Sequence, residues 1–175
     1  MSVGVLVAGI GNIFQGDDAF GSTVAQRFAR KPLPEYAVVM DIGIRSIDLV
    51  FALLHEYDLT ILVDAMTRGG APGTVYTIEI DSDDIPNAAD ELALTNSHGL
   101  DSVKVLAMAK GMGAKFGRLL LVGCEPLIVD QDETGYIGLS EPVAAAVEVA
   151  ERAVRGLVEE FAVRTTVEEE EVCSQ

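Results

Sequence analysis

The sequence has few cysteines and few cations. Cys124 and Cys173 are its only cysteines, too few for a disulfide framework, and this is typical of proteins from a reducing compartment. Lysine and arginine total 12 against 28 aspartate and glutamate residues, so the formal net charge is −16. Nucleic acid and anionic membranes repel a chain this acidic. We therefore expect neither as a partner, and a charged partner should be basic.

Long hydrophobic runs are also missing. No apolar stretch in the sequence approaches the ~20 residues that span a bilayer. The N-terminus lacks the basic segment and the apolar core of a signal peptide. These features predict a cytoplasmic protein. Two common hydrolase motifs are absent from the sequence as well, namely the His-Glu-x-x-His of zinc proteases and the Gly-x-Ser-x-Gly of serine hydrolases.

What the sequence does contain is an alternation of apolar runs and helical stripes. Its 175 residues suit one domain, and the alternation predicts a three-layer α/β/α sandwich with a five-stranded mixed sheet. The link at residues 64–73 is too short for the crossover helix that parallel strands require, so the fourth strand should run antiparallel. The predicted strands cover residues 3–8, 37–40, 59–63, 74–80 and 119–122.

The helical patterns set the expected limits of the domain. Ser46 is a suitable N-cap for the second helix, and Pro142 suits the first turn of the last one. The α/β domain should end near residue 163. The remaining residues 164–175 include four consecutive glutamates, a block of like charge that predicts a disordered tail.

A glycine loop follows the first predicted strand. Gly9-x-Gly11, with Asp41 at the end of the second strand, suggests a dinucleotide site. Phe14 stands where the third glycine should be, and Asp17 and Asp18 would repel a phosphate at the helix start. We therefore expect no nucleotide to bind. A structural turn, with two acids near the helix dipole, is the other interpretation of the loop.

Two acids and a histidine form a candidate metal site. Asp18 and Asp64 both follow strands, and ligands of open α/β sheets bind outside the carboxyl ends of the strands. His98 lies at a predicted helix start, whereas His55 should face solvent. Two carboxylates and an imidazole suit nickel, zinc, iron or manganese. The alternative is that His98 caps a helix and Asp64 binds backbone amides, and spacing alone leaves both open.

Eight short motifs follow one another along the chain, as far as about Phe161. They are Gly9-x-Gly11-Asn12, Asp17-Asp18-x-x-Gly21, Asp41-x-Gly43, Asp64-Ala65, Pro72-Gly73-Thr74, Ser97-His98-x-Leu100, Val122-Gly123 with Pro126, and Gly138-Leu139-Ser140. Each motif is weak alone, but their order along the chain is specific. This ordered set resembles the hydrogenase maturation proteases.

The resemblance implies an endopeptidase that removes the C-terminal extension of a nickel-loaded [NiFe]-hydrogenase large-subunit precursor. It places the metal-binding and catalytic roles on Asp18, Asp64 and His98. The nickel would come with the precursor, and the isolated protein, which we expect to be a monomer, could hold zinc or another divalent ion. Whether the metal or an aspartate activates the water stays open at this point.

Further residues are candidates for supporting the ligands or contacting substrate: Asn12, Asp17 and Asp41. Relatives often have glycine at the positions of Ala19 and Ile42. Ala19 is a mild change, but Ile42 adds bulk beside Asp41 and is expected to alter the substrate fit.

Two other classes of function compete with the protease. A non-catalytic metal sensor could use the same acids, and a Rossmann-like nucleotide protein could use the glycine loop. Residues 130–141 also match the ligand spacing of an EF-hand calcium loop. An EF-hand needs a helix before this loop, and here a predicted strand precedes it, so we interpret the segment as a surface loop leading into a helix.

Overall fold

The computed structural model describes residues 4–86, 102–127 and 137–173, with side chains as far as residue 164. Within these ranges strands and helices alternate, and none of the helices is long and apolar enough to cross a membrane. The elements are β1 (Val5–Ile10), a 3-10 helix (Gly16–Ala19), α1 (Phe20–Ala29), β2 (Ala37–Gly43), α2 (Ser46–Leu53), β3 (Leu59–Ala65), β4 (Val75–Ile80), α3 (Ser102–Gly111), β5 (Arg118–Cys124) and α4 (Glu141–Cys173).

The five strands form one mixed sheet in the order β2-β1-β3-β5-β4. Strand β1 pairs in parallel with β2 and β3, and β3 pairs in parallel with β5. Strand β4 is antiparallel to β5 and therefore runs against β3, from which β5 separates it. The predicted mixed sheet and the antiparallel fourth strand are confirmed.

Helices cover both faces of the sheet, as the predicted three layers require. Helix α1 contributes Phe20, Val24 and Phe28 to one buried cluster, together with Val143 and Val147 of α4. Helices α2 and α3 supply the cluster on the opposite face. All six residues of β1 are buried, because this strand lies inside the sheet and between two helical layers.

Two details of the helices differ from the sequence prediction. The N-cap of α2 is Arg45, with no capping side chain, so Ser46 is not the cap. The Arg45 N–H instead donates to the Ile42 carbonyl, in the turn that leads from β2 into the helix. Helix α4 continues to Cys173, where the charge pattern predicts disorder. Glutamate is a good helix former, and this accounts for the helical backbone.

Candidate active site

The candidate site lies at the sheet edge where the parallel strands end. The start of α1 packs directly against the ends of two strands. A β-carbon on Gly21 would overlap the carbonyl oxygens of Ile10 and Val63, and one on Gly9 would overlap the Gly21 carbonyl. Gly9 and Gly21 therefore allow the 3-10 helix and α1 to approach the carboxyl ends of β1 and β3.

Asp18 lies on this edge because of the glycine loop. Gly11 has a φ of 138°, and a β-carbon there would overlap the carbonyl oxygen of Asp18. The Asn12 N–H donates to Asp18 Oδ2 at 2.6 Å, and Asn12 Oδ1 accepts from the Phe14 N–H at 3.0 Å. Asp18 is half-buried. One carboxylate oxygen is thus fixed by the loop, while Oδ1 has no hydrogen-bond partner among the described residues.

Asp17, the neighbouring acid, has a different environment. It is completely buried. Its Oδ1 accepts from the Ser140 N–H at 2.7 Å, and its Oδ2 accepts from the Ser140 hydroxyl and the Leu127 N–H, both at 2.8 Å. Asp17 therefore joins the 3-10 helix to the segments after β5 and before α4. It supports Asp18 through the backbone and lies out of reach of a substrate.

Asp64 lies at the end of β3 and is half-buried. The Ser102 hydroxyl donates to Asp64 Oδ2 at 2.7 Å. Ser102 is buried in the first described turn of α3 and follows His98 by four residues in the sequence. This contact was not identified from the sequence, because nothing distinguishes Ser102 from other polar residues near a helix start. It ties the start of α3 to the edge that carries Asp64.

Both acids therefore lie at one edge, since the 3-10 helix that carries Asp18 contacts β3. His98 lies outside the described residues, so its predicted approach to the acids is untested. Within residues 4–86, 102–127 and 137–164, no three His, Cys, Asp or Glu side chains cluster closely enough to hold a metal ion. His55 is exposed, in agreement with its predicted solvent position.

Asp41 is held by α1 rather than directed at a ligand. Its Oδ1 accepts from the Ser22 hydroxyl and its Oδ2 from Gln26 Nε2, both at 2.7 Å. The pairing of β2 with β1 shifts register beside Asp41, and such irregularities redirect side chains near functional sites. With both oxygens occupied, Asp41 is poorly suited to bind a ribose.

Ile42, expected to alter the substrate fit, does not reach the site. Its side chain is 1% exposed and belongs to the core between the sheet and the α2/α3 layer. Neighbouring strand residues point to opposite faces, so Ile42 and Asp41 project on different sides of the sheet. The expectation is wrong: Ile42 fills the core.

A second buried acid organises the loop that follows Asp64. Glu125, directly after β5, accepts hydrogen bonds from the Arg68 N–H at 2.8 Å, the Gly69 N–H at 3.1 Å and the Tyr76 hydroxyl at 3.1 Å. Burial acts to raise the pKa of Glu125, but these bonds hold it below its ordinary value of 4.5. Nothing in the sequence distinguishes Glu125 from surface acids.

Cys124 is not a candidate nucleophile. It is completely buried. Burial, together with the charges of Asp17 and Glu125, raises the pKa of its thiol to about 11. The thiolate is the reactive form, so this thiol is inert near neutral pH, in agreement with its predicted role in core packing.

An exposed apolar surface borders the acids, which we call the apolar rim: Ile13, Phe14, Ile44 and Ile47. Phe14 is 60% exposed and Ile44 58%. A hydrogen bond of 3.1 Å from the Gly11 N–H to the Gly43 carbonyl joins the loop that carries Ile13 and Phe14 to the end of β2, just before Ile44. Exposed apolar patches commonly mark sites where proteins bind one another.

Comparison with known proteins identifies the family of the chain. Residues 22–156 match the family model described as HycI, hydrogenase maturation protease. The chain belongs to the hydrogenase maturation protease family. Asp64 and His98 lie within the matched range, and Asp18 lies just before it. Membership in this family identifies the chain as a peptidase.

Individual relatives cover most of the chain. The hydrogenase expression/formation protein HupD of Rhizobium leguminosarum is 34% identical over 158 residues, 86% of this chain and 74% of HupD. The maturating endopeptidase HybD of Escherichia coli superposes with a TM-score of 0.72 at 26% identity, over 91% of this chain and 93% of HybD. A hydrogenase 2 maturation peptidase from a Thaumarchaeota archaeon superposes with a TM-score of 0.65 at 31% identity, over 88% of this chain and 97% of the archaeal chain.

Proposed function

We propose that this peptidase removes the C-terminal extension of a nickel-loaded [NiFe]-hydrogenase large-subunit precursor, and that Asp18, Asp64 and His98 contact the metal of the precursor. The observation that carries the proposal is the placement of Asp18 and Asp64 at one sheet edge, with one oxygen of each carboxylate fixed by a neighbouring residue. Family membership supplies the reaction class.

The chemistry of these side chains suits a metal that arrives with the substrate. Carboxylate oxygens with one imidazole nitrogen favour nickel or zinc over magnesium, because nitrogen ligands favour the later transition metals. Hydrogen bonds from Asn12 and Ser102 orient the two carboxylates, as outer contacts do at metal sites. With three protein ligands, positions on the ion remain for groups of the precursor.

The same carboxylates supply the base that hydrolysis requires. Water attacks the scissile carbonyl carbon while an acid side chain accepts its proton. The C–N bond then breaks, and the proton passes to the leaving amine nitrogen. The Oδ1 atom of Asp18 has no hydrogen-bond partner among the described residues, so it is open either to the metal or to the proton of the water, and Asp64 takes the other role.

The apolar rim provides a surface for the folded part of the precursor. Ile13 and Phe14 follow Asn12 in the loop after β1, and Ile44 and Ile47 come shortly after Asp41 of β2, so a protein bound there is adjacent to the acids. Burial of apolar area stabilises a complex by about 25 cal/mol per Å². Phe14, the most exposed of the four, should contribute most.

Nickel dependence tests the proposal. Purified protein is incubated with cognate precursor prepared with and without nickel, and the product mass is measured. We expect loss of a C-terminal fragment from the nickel-loaded precursor and an unchanged mass for the nickel-free one. Equal cleavage of both would refute metal recognition, and cleavage of neither would refute the assigned substrate.

A further inference from the structure

A groove with a volume of about 450 Å³ runs along α1, between that helix and the start of α4. Gln26, Arg27, Arg30 and Lys31 form its polar side, and Leu139 and Val147 form its apolar side. None of these side chains belongs to the candidate active site. The groove is nevertheless connected to it, because Gln26 also donates to Asp41.

The polar side of this groove is basic in a chain that is otherwise strongly acidic. Only 12 of the 175 residues are lysine or arginine, yet Arg27, Arg30 and Lys31 lie together here. Glu151, buried and 2% exposed, binds Arg27 Nε and Lys31 Nζ at 2.6 Å each. These bonds fix two cations whose side chains remain about half exposed, at 46% and 55%.

Arg30 is the cation best placed to bind something from outside. It is exposed and forms no ion pair with any residue the structure describes. Arg27 also approaches Glu148 at 3.9 Å, and Arg155 approaches Glu151 at 3.7 Å. Among the described ion pairs, Arg27, Lys31, Arg152 and Arg155 thus share the two acids, and Arg30 adds a cation that pairs with neither, so cations outnumber acids in this network.

The groove leads away from the catalytic edge. Helix α1 begins against the ends of β1 and β3, so Gln26 is nearer that edge and Arg30 is nearer the opposite one. The ten residues of α1, which ends just before Arg30, span ~15 Å, about the length of five residues in an extended peptide. A peptide that leaves the candidate site along α1 would reach Arg30 after about five residues.

We infer that this groove binds an acidic segment of the precursor's C-terminal extension, by charge complementarity with Arg30, Arg27 and Lys31. The inference rests on the proposed function. It also qualifies the expectation, drawn from net charge, that charged partners of this protein are basic. The groove is a local exception that lets an acidic peptide bind to a chain with a charge of −16.

Reversal of the Arg30 charge tests the inference. Processing of the nickel-loaded precursor is measured for the wild type, Arg30→Glu and Lys115→Glu. Lys115 is 80% exposed and pairs with Glu56, away from the groove, so the control makes the same change in net charge. We expect Arg30→Glu to raise KM about tenfold with kcat nearly unchanged. The effect should shrink in high salt, which screens exposed charges.

A second experiment tests whether the acidic residues of the extension are what the groove binds. The acids of the extension are changed to their amides, and this precursor should show a raised KM with wild-type protein and no further rise with Arg30→Glu. Equal KM values for wild type and Arg30→Glu, or an equal rise with Lys115→Glu, would overturn the inference. If the wild type cleaves no precursor, the proposed function fails. Calorimetry with a synthetic extension peptide then tests the groove alone, and equal affinity for wild type and Arg30→Glu would overturn it.

Discussion

The carbonyl oxygen of Asp18 occupies the space that a β-carbon on Gly11 would require. The two residues are seven positions apart, and their contact closes the loop that presents the Asp18 carboxylate. Gly11 also has a φ of 138°, which L side chains rarely adopt. The glycine signature therefore serves the position of an acid, and no phosphate is needed to explain it.

Gly11→Ala should destabilise the protein by at least about 2 kcal/mol, from backbone strain and the overlap with Asp18. Gly113 is the matched control. It has a φ of 96°, but nothing lies within 4 Å of an added β-carbon. Gly113→Ala should therefore show only the cost of strain and keep full processing activity. Urea unfolding and precursor processing measure both effects, and equal losses for the two variants would contradict this account.

Substitutions of Asp17 and Asp18 should have different effects, the first on stability and the second on activity. Asp17→Asn places an amide nitrogen among the donors of Leu127 and Ser140, and we expect a loss of about 2 kcal/mol in the free energy of unfolding. Asp18→Asn should change stability little, since Asp18 is half-buried and its carboxylate accepts one hydrogen bond among the described residues, but it should abolish processing. Thermal melts together with product masses check the pair. A stable, active Asp17→Asn variant would disprove the role of Asp17.

Cys124 should be unreactive in the folded protein. Its thiol pKa of about 11 leaves it protonated at pH 8, and burial blocks access. In a Cys173→Ser variant, Cys124 is the only cysteine, and Ellman's reagent should react with it slowly in buffer and fully in denaturant. Fast reaction in buffer would mean that the region around Cys124 opens.

The fold could be predicted largely from local patterns. Buried strands such as β1 are continuous apolar runs, and the short link at residues 64–73 determined the direction of β4. The side-chain contacts could not be predicted in this way. Asp17 and Asp18 are chemically identical neighbours, and only the tertiary structure buries one at Ser140 and leaves the other at the edge.

The contacts of the buried acids could not be predicted from local patterns either. Glu125 and Glu151 look like surface residues in a chain with 28 acids, because their partners are brought to them by the fold. Tyr76 and the backbone of residues 68–69 surround Glu125. The ligand set Asp18, Asp64 and His98 was inferred from the residue pattern together with a family resemblance, and all three ligand roles stay predictions.

The acidic end of α4 should be dispensable. The last hydrophobic side chains of α4 that pack against the core are Val158 and Phe161 among the described residues, and like charges at 168–171 repel one another. Deletion of residues 165–175 should shift the melting temperature by less than about 2 °C. A large decrease, measured by circular dichroism, would show that this segment stabilises the domain.

The most direct test of the central claim is the processing of nickel-loaded precursor by single-site variants, followed by intact mass. His98→Ala, Asp18→Asn and Asp64→Asn should each stop cleavage while the melting temperature stays near that of the wild type. His55→Ala should cleave at the wild-type rate, since His55 is exposed. Cleavage by His98→Ala at the wild-type rate would contradict the proposed site.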